Sequence, residues 1–259
     1  MGIAKVFLKD LVLKTCSRRL QKRLRAFYLT KQVVKDRNFH EAEMEVLESV
    51  IRKGDSVADI GANVGVYTRE LSSLVGPNGL VYAFEPVTEN YEILEAVIRK
   101  ARLPNVLPFL AALGSQLGKS TMVIPDLEAF KGYTEAHFAQ PGDSGQQETV
   151  EVLTLEELWK RKTIQCLHFI KCDVEGSELE VIRGGRELII SQLPGWLLEV
   201  SRKTSDDVFS LLKGFGYRAF AYDKRLTPTE SYRDKEYSNY FFFHPNSNIW
   251  DRVLPLIEH

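Results

Sequence analysis

Residues 57–94 read VADIGANVGVYTRELSSLVGPNGLVYAFEPVTENYEIL, and this stretch decides the fold. A short apolar run, SVADI at 56–60, predicts a buried strand, and Gly61–Gly65 then turns the chain. Helical spacing runs from Tyr67 to Leu74 and stops at Gly76-Pro77-Asn78-Gly79. LVYAF at 80–84 predicts a second strand, ending at Glu85-Pro86. A helix over 88–101 follows, terminated by Leu103-Pro104-Asn105. Working outward, the same alternation continues. Residues 41–52 read as a helix before the first strand, and 106–113, 120–124, 150–153, 166–172, 196–200, 217–222 and 239–243 as extended. Helices fit 154–161, with Thr154 as N-cap, and 177–190 and 204–213. Strands alternating with helices predict an α/β fold, a mostly parallel sheet with helices on both faces. No internal repeat and no second core are visible. Residues 126–147 are polar and lack a sustained period, the mark of a binding loop, a lid or disorder.

Composition narrows the class. The chain has 259 residues, 44% hydrophobic and 27% charged, and a net charge of −1. That is ordinary for a globular enzyme and excludes a disordered chain, a fibre or a disulfide scaffold. Near-neutral charge offers no global field for nucleic acid. No apolar run reaches the ~20 residues of a membrane span, and no secretory leader is evident. Cys16, Cys166 and Cys172 form no CxxC pair, which fits a reducing, cytoplasmic compartment.

Charge is nevertheless uneven. Residues 1–37 hold eleven Lys/Arg against Asp10 and Asp36, a local charge of +9, with apolar residues at helical steps. We therefore divide the chain into a basic amphipathic helical extension, 1–37, and a main domain, 38–259. Such a helix can lie at the inner face of an anionic membrane. The plainer reading, which we favour, packs its apolar stripe on the main domain or on a second subunit in a homodimer.

In an open α/β sheet, ligands bind beyond the carboxyl ends of the strands. Those ends are Asp59 with its turn, Glu85, the Ala112-Leu113 corner, Asp173 and Glu199. Four of the five carry a carboxylate, and buried acids need a partner or a ligand. A dinucleotide turn, GxGxxG from Gly61, would place glycines at 63 and 66, where Asn63 and Val66 stand. No GK[ST] follows, so this is not a phosphate loop. The turn DIGANVG with Glu85 twenty residues beyond Gly65 suits a nucleoside without a diphosphate, its ribose hydroxyls donating to Glu85.

The Val57–Leu94 stretch, with EVLTLEELW (151–159) and FIKCDVEGSELEVIRGG (169–185), resembles the FkbM family of S-adenosylmethionine-dependent methyltransferases. The resemblance spans about residues 41–245 and leaves out the basic N-terminal helix. Cys172 stands where the family's K-I-D-V-E-G element has Ile. The resemblance implies a class I methyltransferase (Rossmann-like) sheet of seven strands, the last antiparallel. It implies S-adenosylmethionine as cofactor and a hydroxyl acceptor on a sugar, glycolipid or secondary metabolite. It assigns Asp59, Gly61, Ala62, Asn63 and Gly65 to the donor turn, Glu85 and Pro86 to the ribose, and Asp173 and Glu175 to the acidic element after the fourth strand. The adenine corner lacks an acid, which leaves backbone at Ala112 and Leu113, or Ser115, to hold the base.

An alcohol acceptor needs a proton acceptor, worth roughly 100- to 10,000-fold. Asp173 is the first candidate and Glu199, one strand over, the second. Lys171, two residues before Asp173, shares its face and is expected as its ion partner. Glu175 is expected near a helix N-terminus, where it would be a weaker base and would instead hold the turn. Asp173 and Glu199 are also compatible with magnesium and a diol, but nothing demands a metal. His168 is expected in the core. His137 is expected as an exposed loop residue, or as an acceptor contact if 126–147 is a lid. Trp196, Tyr133, Phe138 and Tyr240–Phe243 are candidates to stack on an acceptor, with core packing the simpler reading for the last run. Two rival functions remain: an NAD-dependent oxidoreductase, and a catalytically degenerate domain acting as a membrane or partner adaptor.

Overall fold

The computed structural model describes residues 17–35, 41–125, 136–233 and 239–258. Helix α1 (Arg18–Lys35) and the short α2 (Met44–Val50) precede β1 (Ser56–Ile60). Then come α3 (Val66–Val75), β2 (Leu80–Phe84), α4 (Thr88–Ala101), β3 (Val106–Phe109), β4 (Ala112–Leu113), β5 (Gly118–Ile124), β6 (His137–Phe138) and β7 (Gln146–Leu153). The second half runs α5 (Leu155–Lys160), β8 (Phe169–Cys172), α6 (Glu178–Arg183), α7 (Arg186–Gln192), β9 (Gly195–Glu199), α8 (Ser205–Gly214) and β10 (Arg218–Asp223). It closes with β11 (Arg225–Thr229), β12 (Asn239–Phe243) and α9 (Trp250–Val253).

The main sheet has the order β11-β10-β12-β9-β8-β1-β2-β3. Strands β9, β8, β1, β2 and β3 are mutually parallel, and β12 runs antiparallel to both β9 and β10. The seven expected strands are therefore present with β12 reversed. An eighth, β11, pairs antiparallel with β10 at the edge. Alternation along each strand splits the core. Ala58, Ile60, Ile170, Cys172, Trp196 and Leu198 pack under α5 to α8. Val57, Phe169 and Leu197 pack on the other face with α2, α3 and α9. Trp196, Tyr240 and Phe242 are buried on the first face and Phe241 and Phe243 on the second, as core packing requires.

The chain departs from the expected elements at three places. The extended run 106–113 breaks after Phe109. Pro108 lies on the edge strand β3, where a missing N–H is tolerated, and the chain then leaves to form β4. A second sheet, β4-β7-β5-β6, follows, so β6 and the start of β7 fall inside the stretch read as a binding loop, a lid or disorder; residues 126–135, Tyr133 among them, lie outside the described residues. This sheet has a small core of its own, Val87, Ala112, Met122, Ile124, Val150 and Val152, contrary to the expectation of a single core. The helix expected over 177–190 is two helices. At Gly184 a Cβ would sit 1.9 Å from the Gly114 carbonyl, so the helix gives way where the second sheet's entry passes.

Helix α1 packs on α4 through Ala26, Leu29, Val33 and Val34 against Ile93 and Val97. Arg25, 3% exposed, reaches Glu89 Oε1 at 3.2 Å and Asn90 Oδ1 at 2.8 Å in the first turn of α4. Lys22 adds a 2.9 Å bridge to Glu89. The remaining residues of the expected extension, 1–16 and 36–37, lie outside the described residues. Replacing Arg25 by Ala strands buried acceptors, so urea denaturation should show a loss of about 2–3 kcal/mol; an unchanged midpoint would mean that α1 is not docked on α4.

Candidate active site

The turn after β1 is built from left-handed backbone. Gly61, Asn63 and Gly65 have φ of 76°, 50° and 89°. A Cβ on Gly61 would lie 1.8 Å from the Asp173 carbonyl oxygen, so glycine is required there for the end of β8 to pass. Gly65 is the N-cap of α3. Asn63 turns its N–H onto Glu85 Oε2 at 2.8 Å, and Val87 donates to Glu85 Oε1 at 2.9 Å. Asn90 adds a longer contact, 3.5 Å, to the same oxygen. Since Arg25 holds Asn90, α1 is linked through one side chain to the Glu85 carboxylate.

A cavity of about 220 Å³ opens above this turn. Gly61, Asn63, Glu85 and Pro86 form one wall, Ala112 and Leu113 the corner, and Asp173, Glu175 and Glu199 the far end. The second sheet contributes Met122, Ala136 and Phe138, which the sequence did not single out together for this wall. No lysine or arginine lines the cavity among the described residues. Asn63 Oδ1 is buried there with no hydrogen-bond partner among the described residues.

Three residues assigned to the donor turn stand behind the cavity and not in its lining. Asp59 is completely buried beneath the turn, accepting from Thr68 Oγ1 at 2.5 Å, with Lys171 Nζ 3.8 Å away. Burial raises its pKa against the pull of Lys171 and Thr68. Ala62 packs into the core, and Gly65 supports α3. None of the three lines the cavity; they shape the turn that does. Ser115 does not reach the corner either, because its hydroxyl donates to Glu180.

The acids at the far end form a coupled set. Lys171 and Asp59 are register neighbours on β8 and β1. Lys171 Nζ lies 3.1 Å from Asp173 Oδ2 and donates to the Gly61 carbonyl at 3.2 Å. Burial pulls the Lys171 pKa down, but Asp173 and Asp59 outweigh it and hold it above the usual lysine value. Burial pushes Asp173 up, yet Lys171 and a hydrogen bond with Glu199 bring it below the usual carboxylate value. Glu199 is pushed up to about 8, first by that same hydrogen bond, then by burial and by the charges of Asp173 and Glu175. The hydrogen bond thus drives the two carboxyls apart, Asp173 downward and Glu199 upward. Glu175, in left-handed conformation, lines the cavity. Glu178 ties the turn as well, accepting from Gly176 N at 3.0 Å and Val174 N at 3.3 Å. Carboxylate oxygens of Asp173, Glu175 and Glu199 lie within 4.8 Å of one another.

A second cavity, about 370 Å³, backs onto the first. Asp173 and Glu199 are the wall that the two share, and Glu41, Glu43, Tyr67, Lys171 and Asn239 line the rest. The histidines stand elsewhere. His168 accepts from Ser56 N at 3.1 Å, and His137 lies 3.2 Å from Asp143.

The FkbM methyltransferase domain matches residues 59–219 of this chain. The chain belongs to the FkbM methyltransferase family. It is 26% identical over 223 residues to 31-O-demethyl-FK506 methyltransferase FkbM of Streptomyces tacrolimicus, covering 76% of this chain and 83% of that one. The crystal structure of methyltransferase FkbM from Methylobacillus flagellatus KT superposes with a TM-score of 0.51 at 14% identity. That match covers 85% of this chain but 59% of the other, and it supports the fold.

S-adenosylmethionine is the cofactor of this FkbM-family methyltransferase, and the cavity fits it. The acidic, cation-free lining suits a sulfonium and an ammonium and would repel a diphosphate. The orphaned Asn63 oxygen and the Glu85 carboxylate offer acceptors for an ammonium or for hydroxyls. Burial pushes Glu85 up to about 7 despite the amide donors around it. If Glu85 takes the ribose hydroxyls, as the resemblance implies, they favour its ionised form, and donor binding would be full above this value and weaken as pH falls through it. Calorimetry should show S-adenosylhomocysteine affinity falling about tenfold between about pH 8 and about pH 6. Glu85→Gln should remove that slope; an equal slope in the variant would separate Glu85 from the donor.

Proposed function

We propose that the protein transfers the methyl group of S-adenosylmethionine to a hydroxyl oxygen of a sugar, glycolipid or secondary metabolite. The observation that carries this is the hydrogen-bonded Asp173–Glu199 carboxyl pair in the wall between the donor cavity and the second cavity. The Streptomyces relative, named for a 31-O-demethyl substrate, supports an oxygen acceptor. Two free thiols, buried Cys172 and exposed Cys166, suit a reducing cytoplasm. The acid-lined cavity speaks against the NAD-dependent alternative, and its full set of carboxylates against a degenerate adaptor.

When bound, the cofactor supplies an electrophilic methyl on a positively charged sulfur. The chain must hold the acceptor oxygen in line with it, which can lower the barrier by about 7–11 kcal/mol. We assign the donor cavity to the nucleoside, with Glu85 on the ribose and Ala112, Leu113, Met122 and Phe138 around the base. The second cavity takes the acceptor, its hydroxyl directed at Asp173. Asp173 accepts the proton, and Lys171 positions that carboxylate. Glu199 keeps the pair from carrying two adjacent negative charges until its own proton leaves. Glu175 adds negative charge that sustains the proton on Glu199.

A carboxyl pair driven apart in this way becomes a stronger base once Glu199 loses its proton. Methyl transfer to a polyol acceptor should therefore rise with pH through about 8, where Glu199 ionises. Asp173→Asn should retain S-adenosylhomocysteine affinity and lower kcat by about 100-fold or more. Loss of donor affinity with kcat unchanged would instead assign Asp173 to the donor.

A further inference from the structure

Helix α1 has two apolar faces, and the domain uses only one. The inner face, with Ala26, Leu29 and Val33, is packed on α4. On the opposite side Leu20, Leu24, Phe27 and Tyr28 are 44%, 41%, 61% and 52% exposed. Their spacing of four, three and one residues places them in a single stripe along the helix. These are four of the nine large hydrophobic residues that are exposed among the described residues, and no other element collects more than one or two. A stripe of this kind on a surface helix marks a binding face.

The charges around the stripe say what covers it. Lys31 and Lys35 are exposed in line with the stripe and Arg23 at its margin, and α1 contains no acid at all. The neighbouring end of α4 adds Lys100, whose ammonium lies 5.7 Å from the centre of the Phe27 ring. An apolar stripe edged only by cations repels a second copy of itself, because the same +charge would face its own image across a two-fold axis. It suits a surface that offers hydrocarbon just below a layer of negative charge. Aromatic residues with one polar end, such as Tyr28, favour that boundary. The inner face is fixed rigidly by Arg25 on Glu89 and Asn90, so the helix presents its outer face without unfolding. Because Asn90 contacts Glu85, the face lies on the helix next to the donor cavity.

We infer that the outer face of α1 docks the protein on an anionic lipid bilayer, with Leu20, Leu24, Phe27 and Tyr28 in the interface and Arg23, Lys31 and Lys35 on the lipid headgroups. This inference stands whether or not the acceptor is a hydroxyl compound. No helix among the described residues is long and apolar enough to cross a membrane, and the proposed contact needs none.

Co-sedimentation of the full chain with vesicles of phosphatidylcholine containing about 30% phosphatidylglycerol tests it. The protein should pellet with these vesicles, stay in solution with pure phosphatidylcholine, and be released by about 0.5 M salt. Leu24→Glu with Phe27→Glu should reduce the bound fraction at least about tenfold. Both positions are exposed, so S-adenosylhomocysteine affinity and thermal melting should stay at the wild-type values, which confirms folding independently of membrane contact. Arg23→Glu with Lys31→Glu should weaken binding in the same assay while leaving the apolar stripe intact. The inference is overturned if the wild-type chain does not pellet, pellets equally on neutral vesicles, or pellets unchanged in the double variants. It is equally overturned if light scattering shows a dimer that Leu24→Glu with Phe27→Glu converts to monomer while neither protein binds vesicles; the face would then belong to a second copy.

Discussion

The ammonium of Lys171, buried among Asp59, Asp173 and the Gly61 carbonyl, is the interaction on which the site depends. It joins the ends of β1 and β8 at the one place where the glycine turn must bend over them. Desolvating a cation is costly, and the arrangement is tolerable only because two carboxylates and a backbone oxygen surround it. The consequences spread outward. Lys171 fixes the carbonyl of Gly61 and so the floor of the donor cavity. It draws Asp173 downward, and Asp173 in turn pushes Glu199 upward. A single buried charge thus links the shape of the cofactor cavity to the protonation of the acids across from it.

Much of this frame was legible in the sequence because it is local. The strands at 56–60 and 80–84 and the helix at 88–101 fall where the expected bounds put them, between clear turn residues. Gly61, Asn63, Glu85, Pro86, Ala112, Leu113, Asp173, Glu175 and Glu199 converge on one cavity because strand ends of a parallel sheet line up. What was missed is non-local. Met122 and Phe138 reach the cavity through a second sheet whose pairings, β4 with β7 and β5 with β6, leave no local period to read. The break at Gly184 depends on the passage of Gly114, seventy residues away, and no helical signal encodes it. Asp59 was read as a ligand because the turn motif contains it. Alternation puts it on the face covered by α3, where Thr68 and Lys171 use it.

The distribution of charge organises the rest of the molecule. Acids gather at the carboxyl end of the sheet, around the cofactor cavity. Basic residues gather on α1, away from the acids except at Arg25 and Lys22, which share Glu89 as their partner. Near-zero net charge conceals two fields of opposite sign, each suited to a different ligand.

The claim that Lys171 helps drive the two carboxyls apart is tested most directly by carbon-13 NMR titration of the Asp and Glu carboxyl carbons, in the wild-type chain and in Lys171→Met. The account predicts that Glu199 titrates at about 8 and Asp173 below the usual aspartate value in the wild type. In Lys171→Met, Asp173 should move upward. Asp173 and Glu199 titrating independently at ordinary carboxylate values in the wild type, or unmoved by the loss of Lys171, would contradict it.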